Sequence, residues 1–319
     1  MRNSDQIERR LKLHDLRVLM AVTRAGSMLK AAKQLNTSQP AISRSIAELE
    51  QTLGVRLLDR SRQGVEPTEY GRVLLDCGTA VFDDLRQGLK NIEFVADPAE
   101  GELKVAGNLP GFAGLMPATI ERFRRKYPRI QIKTIFTGEL PQVHRALRER
   151  TVDFFCGRLV PPFDKDLEAE TFFNEGLVVV AGAHNSWTRR KNLRLTDLID
   201  EPWLLPGIES PVGSLIAGVF RANGLEHPRT FVATDAVQYM LSVVTYGNFL
   251  AFYPTSPLQL GTAPPGLKAL PVTLTIPPSP FGILRLGRRA LSPIAELFIA
   301  TAREVARPLA APGRLRRRL

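Results

Sequence analysis

SMLKAAKQLNTSQPAISRSIAELEQTLG, residues 27–54, reads as two helices with a tight polar corner between them. Ser27, just after Gly26, suits the N-cap of the first helix, and Ala31, Ala32 and Leu35 give it a small-residue packing face. Asn36-Thr37-Ser38 ends that helix and caps the next, where Pro40 is tolerated because first-turn amides lack helical acceptors. In the second helix Ile42, Ile46, Leu49 and Leu53 form one apolar stripe. Pro40, Ser43, Arg44 and Ala47 share the opposite face, short-sided and polar near the helix start. A face of that shape can slide into a DNA major groove. Outward from this pair, residues 57–60 and 65–67 flank a turn at Ser61-Arg62-Gln63-Gly64. Helix, corner, helix and basic hairpin describe a winged helix-turn-helix.

Within that unit Ser38, Gln39, Pro40, Ser43 and Arg44 are the candidates to meet bases and phosphates. Gln39 can bond adenine through both amide atoms, and Arg44 suits guanine or phosphate. Arg60 and Arg62 on the hairpin are placed to enter a minor groove or hold phosphates. Each has a plainer reading: Ser38 as a cap alone, Arg44 paired with Glu48 one turn on, Arg60 as an ordinary surface charge.

The 319 residues carry a formal net charge of +11, which favours a polyanionic partner and says nothing of fold. The excess is uneven: Lys and Arg outnumber Asp and Glu over the first 65 residues, and Arg314, Arg316, Arg317 and Arg318 crowd a tail read as a solvated end. Hydrophobic content of 44% and charged content of 24% are ordinary for a globular protein with a proper core. Two cysteines, Cys77 and Cys156, make no disulfide framework and suit a reducing compartment. The first residues, MRNSDQIERRLKLHDL, lack the apolar centre of a signal peptide, and no apolar run spans a bilayer. A cytoplasmic chain without a membrane partner is expected.

Residues 1–12 read as a charged, loose leader, and 13–24 as a helix with Leu16, Leu19 and Met20 inward, ended at Gly26. From Thr68 to about Val95 the pattern is one long helix. Tyr70, Leu74, Cys77, Val81, Leu85, Gly88, Ile92 and Val95 step along it by threes and fours, the spacing of a helix–helix seam. The economical partner for such a stripe is its copy in a second subunit, and Cys77 is read as packing within it.

Residues 97–101 are a linker by composition, after which strands and helices alternate. Strands at 103–106, 131–136 and 152–157 with helices at 115–127 and 140–150 imply a βαβαβ unit with a parallel sheet. A second unit is expected from near Pro161. It holds strands at 170–173, 177–181, 203–205, 231–233 and 249–252 and helices near 195–199, 214–223 and 236–246. The chain crosses back at Pro264-Pro265-Gly266 to a strand at 281–286 and a helix at 293–307 packed on the first lobe. Two such lobes leave a cleft whose walls are strand-end loops and helix starts. Asn108, Leu109 and Pro110, then Thr137 and Gly138, then Arg158 line it on this reading. Free amides and the Arg158 guanidinium would favour an anionic ligand.

AAKQLNTSQPAISRSIAELEQTLGVRLLDRSRQGVEPTEYGRVLL, residues 31–75, resembles the N-terminal domain of LysR-type transcriptional regulators, and the whole layout is similar to theirs. The resemblance implies a fold in three parts: an all-α winged helix-turn-helix over 1–67, a long linker helix over 68–97 that dimerises, and an effector-binding part over 98–319. That last part is α/β, two Rossmann-like lobes resembling periplasmic binding proteins, lobe I about 101–160 and 265–307 and lobe II about 161–264. It implies double-stranded DNA bearing an interrupted inverted repeat, a small-molecule effector, a homodimer or homotetramer, and RNA polymerase as partners. It also lifts Gly213 and Ser214, otherwise a turn and a cap, into the ligand site. The loop at 107–111 lacks the Ser or Thr that many members carry there, and Cys156 replaces a small aliphatic residue.

Catalysis finds no support in the residues. His14, His144, His184 and His227 have no metal-ligand spacing, and no CxxC, P-loop, GxSxG or dinucleotide fingerprint occurs. No cofactor or metal is expected. The competing readings are a solute-binding module, which lacks the expected export signal, an enzyme, and a repressor that needs no effector.

Overall fold

The computed structural model describes residues 7, 9–61, 64–137, 139–277 and 279–310. The leader readings at 1–6 and 8, Arg62, Gly138 and the arginine-rich tail lie outside them. By internal packing the chain divides into two compact units, Met1–Leu89 and Lys90–Leu319.

The first unit opens with α1 (Leu13–Ala25), α2 (Met28–Gln34) and α3 (Gln39–Leu53). Ile7, Arg9 and Arg10 are already helical, so this part of the expected loose leader is ordered into a turn, the Leu11 amide donating to Ile7 at 3.0 Å. Gly26 ends α1 at φ +62°, a left-handed conformation that costs glycine little. Ser27 holds the N-cap position of α2 with extended backbone, but its side chain makes no cap hydrogen bond. Ser38 does cap α3, its hydroxyl accepting from the Ala41 amide at 3.4 Å. Ile42, Ile46 and Leu49 are buried with Leu16, Val18, Leu19 and Val22 of α1 and Ala31 and Ala32 of α2.

The hairpin is β1 (Leu58–Ser61) against β2 (Gly64–Pro67), antiparallel with Arg60 opposite Val65. Three polar ties fix it. Glu50 of α3 accepts from the Leu57 and Leu58 amides at 2.8 and 3.2 Å. The Val65 amide donates to the Gly26 carbonyl at 3.1 Å, and the Thr68 hydroxyl donates to the Arg56 carbonyl at 2.8 Å. Thr68 also accepts from the Gly71 amide at 3.1 Å, starting α4 (Glu69–Ala96). Along α4 the expected seam is open in this chain: Tyr70, Leu85, Ile92 and Val95 are exposed, and so is Cys77, while Leu74 and Val81 are half-buried.

The second unit holds a five-stranded sheet in the order β4-β3-β5-β12-β6, from β3 (Glu100–Gly107), β4 (Arg129–Phe136), β5 (Phe154–Arg158), β6 (Leu167–Asn174) and β12 (Pro280–Leu286). β3 runs parallel to β4 and β5, and β12 antiparallel to β5 and β6. A π-helical turn, Gly111–Leu115, leads into α5 (Met116–Lys126), so the helix begins earlier than expected and the loop after β3 is shorter. α5 and α10 (Pro293–Ala306) cover one face over Leu103, Val105, Phe123, Phe154, Phe281 and Phe298. α6 (Leu140–Arg148) covers the other over Val143, Leu147, Phe155 and Leu284.

The remaining strands are β7 (Leu177–Gly182), β8 (Trp203–Leu205), β9 (Thr230–Ala233), β10 (Ala251–Pro254) and β11 (Leu267–Ala269). With them go α7 (Pro211–Ala222), α8 (Val237–Tyr246) and α9 (Thr255–Leu260). Trp203 anchors their core, stacked on Phe252 with ring centroids 5.4 Å apart, its indole N–H donating to the Leu198 carbonyl at 2.8 Å. Two expectations change here. β6, expected in the second lobe, pairs with β12 in the first sheet, and β11, expected on the return path, pairs with β7 in the second. The β10-β7-β11 sheet is antiparallel, whereas β8 and β9 keep the expected parallel pairing. Among the described residues no helix is long and apolar enough to cross a membrane.

Replacing Glu50 by Ala strips the acceptor from two part-buried amides. This should destabilise the winged unit by about 1–3 kcal/mol, read from urea unfolding. Cys156 is buried in the first sheet, and burial pushes its thiol up to about 12. Alkylation at pH 8 followed by peptide mass spectrometry should leave Cys156 unmodified until denaturant is added.

Candidate nucleic-acid interface and ligand-binding edge

Burial of the Ile42 stripe decides what α3 shows to solvent. Ser38, Gln39, Pro40, Arg44 and Ala47 are exposed and Ser43 half-buried, all on the side away from α1 and α2. Gln39 is the first residue of α3, where the helix amides face outward and favour negative charge. Ser45, on the inner side, donates to the Asp15 carboxylate at 3.0 Å and so fixes the rotation of α3 on α1. Among the described residues Arg44 makes no ion pair with Glu48. Arg60 lies exposed on β1, likewise without an ion pair among the described residues. Its expected companion Arg62 is outside them.

The ligand-binding candidates divide. Asn108, Thr137 and Arg158 stand at the C-terminal ends of three adjacent parallel strands, β3, β4 and β5, where Gly107 faces Phe136 on one side and Cys156 on the other. Such an edge is where open α/β sheets hold ligands. Two of the three are partly committed. The Asn108 side-chain oxygen accepts from the Arg158 amide at 3.2 Å, and the Thr137 hydroxyl donates to Gln142 at 3.0 Å. The Arg158 guanidinium has no hydrogen bond or ion pair among the described residues, and burial pulls its pKa below the usual arginine value. Leu109 and Pro110 are half-buried in the turn before the π-helical segment. Gly138 lies outside the described residues.

Gly213 and Ser214 serve differently than expected. α7 starts at Pro211, so its cap is Ser210, whose hydroxyl accepts from the Gly213 amide at 3.0 Å. Ser214 is inside the first turn, its amide donating to the Ser210 carbonyl at 2.8 Å. Gly213 is required by close approach: a Cβ there would stand 1.9 Å from the Gly207 carbonyl oxygen. Neither amide is a free donor. The pair Ser210-Pro211, a cap followed by proline at the first helical position, carries the signal that places this helix start correctly.

Sequence reasoning also missed Phe112 and Phe136, whose rings pack with centroids 5.9 Å apart at the same strand ends. Phe136 is 62% exposed, an unusual position for so apolar a residue beside buried Thr137. Two surface concavities lie elsewhere. One of about 550 Å³ is lined by Leu140, His144 and Arg148, and one of about 330 Å³ by Lys90, Phe94 and Arg129.

Residues 13–72 match the bacterial regulatory helix-turn-helix family of LysR type, and residues 96–307 match the LysR substrate binding domain. The HTH-type transcriptional regulator BenM of Acinetobacter baylyi is 30% identical over 252 residues, 77% of this chain and 81% of that protein. GbpR of Azospirillum brasilense, also an HTH-type transcriptional regulator, is 25% identical over 93% of this chain and 87% of its own length. In fold, the chain is similar to full-length CbnR in complex with its target DNA, with a TM-score of 0.55 at 23% identity over 93% of this chain and all of that one. The chain belongs to the LysR family of transcriptional regulators and joins a DNA-binding helix-turn-helix to an effector-binding domain; members of this family are regulators rather than enzymes.

Proposed function

We propose that the chain reads an interrupted inverted repeat in double-stranded DNA through paired winged helices, and that a small anionic effector bound at the β3-β4-β5 edge changes those contacts. The DNA-reading part is 1–67, the linker helix 68–97 and the effector-binding part 98–319. The observation that carries the DNA reading is the exposed first turn of α3, with Gln39 and Arg44 outward and held in rotation by the Ser45–Asp15 bond. Ser38, Pro40 and Ser43 flank them, and Arg60 and Arg62 supply phosphate or minor-groove contacts from the hairpin.

The open apolar stripe of α4 supports a homodimer joined along that helix, extended to a homotetramer, since one exposed stripe of this length needs a partner. A DNA target places the protein in the cytoplasm, with RNA polymerase as its further partner. On the ligand side Arg158 is the donor, because its guanidinium has no partner among the described residues whereas Asn108 and Thr137 are committed. That same commitment favours a second reading, a repressor that needs no effector, in which the edge is internally satisfied.

Selection of bound fragments from a random DNA pool at fixed salt tests the DNA reading, and recovery of a two-fold symmetric site is the expected result. Recovery of only unrelated, salt-labile sequences would sink it. On the selected site, Gln39→Ala should lose discrimination at one base position by about 1–3 kcal/mol, while Arg60→Ala should weaken all sequences alike and flatten the salt dependence. For the effector, thermal-shift screening against a library of small carboxylates should give a hit that raises the melting temperature. Arg158→Ala should abolish that shift. No shift with any library member favours the effector-independent repressor.

A further inference from the structure

Glu175 is a buried carboxylate that neither surface described above uses. It sits between β6 and β7, where the chain leaves the five-stranded sheet for the three-stranded one, and it is only 4% exposed. Its Oε1 accepts from the Thr255 amide at 3.0 Å, the Thr255 hydroxyl at 2.9 Å and the Ser256 amide at 2.9 Å, and its Oε2 accepts from the Ser256 hydroxyl. Its own amide donates to the Ser279 carbonyl at 2.8 Å, just before β12 of the first sheet. One residue thus ties the outgoing crossover to the start of α9 beyond β10 through its side chain, and to the approach to β12 through its main chain.

A carboxylate in that position is expensive to bury. Burial pushes its carboxyl upward, against the pull of the Ser256 and Thr255 hydrogen bonds, and together with the carboxylate's charge burial takes the neighbouring Tyr253 phenol up to about 12. A neutral cap would serve a six-residue helix at lower desolvation cost. What the charge adds is geometry: several charge-assisted bonds hold two residues in one orientation. Ser256 is fully buried, and it abuts the π-helical turn that follows the Asn108 loop. A Cβ on Gly114 would stand 2.5 Å from the Ser256 hydroxyl oxygen. Six residues on, the Thr262 hydroxyl donates to the Ala113 carbonyl at 2.5 Å, a second contact on the same turn.

We propose that Glu175 is a positioning residue for the effector site: by fixing Ser256 against Gly114 it seats the Gly111–Leu115 turn, and with it the Asn108 loop at the end of β3. This rests on the reading of that loop as an effector wall. The Ser256 contact between the lobes is then set by one carboxylate, beside the Thr262 bond to Ala113, and a ligand that moves the loop must work against both. A merely local cap would hold α9 and nothing beyond.

Hydrogen exchange on the full chain, followed by peptide mass spectrometry without DNA or ligand, separates the two. In Glu175→Gln and in Ser256→Ala, exchange over 108–116 should rise about tenfold, with peptides of β3 and α10 unchanged. A rise confined to 255–261, or one equal in every peptide, would overturn the proposal. Should Glu175→Gln not fold, Ser256→Ala, which removes a single hydroxyl, decides alone. The carboxylate thermal-shift screen on the wild-type chain keeps the failures apart. No shift with any library member defeats the effector-wall reading, whereas a shift that Arg158→Ala abolishes, with exchange confined to 255–261, defeats the positioning role alone.

Discussion

Burial of Ile42, Ile46 and Leu49 against α1 and α2 is the constraint on which the first unit depends. Once those three side chains leave water, one side of α3 alone remains for solvent, and it is the side carrying Gln39 and Arg44. Rotation about the helix axis would still be loose if packing were only apolar, since hydrophobic contact has no direction. Ser45 to Asp15 on one flank and Glu50 to the Leu57 and Leu58 amides at the far end remove that freedom. The hairpin is thereby referenced to the same helix, which matters for any surface that must meet two features of a duplex at once.

These features were legible in the sequence because they are local. Period, cap and turn residues within about ten positions of one another decide α1 to α4, and the apolar stripe of α3 follows from its spacing. In the second unit the elements were legible, as was the return of β12 and α10 to the first lobe. Strand pairing was legible only in the βαβ part, where β3, α5, β4, α6 and β5 follow in chain order. β6 pairs with β12, Leu167 opposite Leu286, across more than a hundred residues. No local pattern distinguishes that pairing from a continuation into the next lobe. The proline pair at 161 and 162 reads as a boundary, and here the chain turns there and still returns to the same sheet. The antiparallel run of β10, β7 and β11 was hidden for the same reason.

The ligand-binding edge was half legible. Strand ends can be read from sequence, so Asn108, Thr137 and Arg158 fall together. Whether a polar atom there is free depends on its partners in space, and the sequence is silent on those. Gln142 on the Thr137 hydroxyl and Arg158's own amide on Asn108 are tertiary facts. Gly213 came to the ligand site through the family resemblance alone, reading locally, with Ser214, as a turn and a cap. Its real constraint is the Gly207 carbonyl, which leaves no room for a side chain.

The glycines around the β3 edge show why that region is shaped by contact rather than by turn geometry. A Cβ on Gly111 would stand 2.4 Å from the Cys156 carbonyl oxygen, and one on Gly157 would stand 2.2 Å from the Asn108 side-chain oxygen. The π-helical turn therefore lies directly on β5, and the Asn108 loop is pressed against the strand that ends in Arg158. With the turn wedged between β5 on one side and Ser256 on the other, it has little freedom to shift alone. Any ligand that draws Arg158 or Asn108 toward itself pulls on a segment whose far side is held by Thr262 and, through Ser256, by Glu175. On the proposed effector reading, movement at the strand ends would pass through those contacts to the other lobe, because close-packed interiors shift between arrangements and do not stretch.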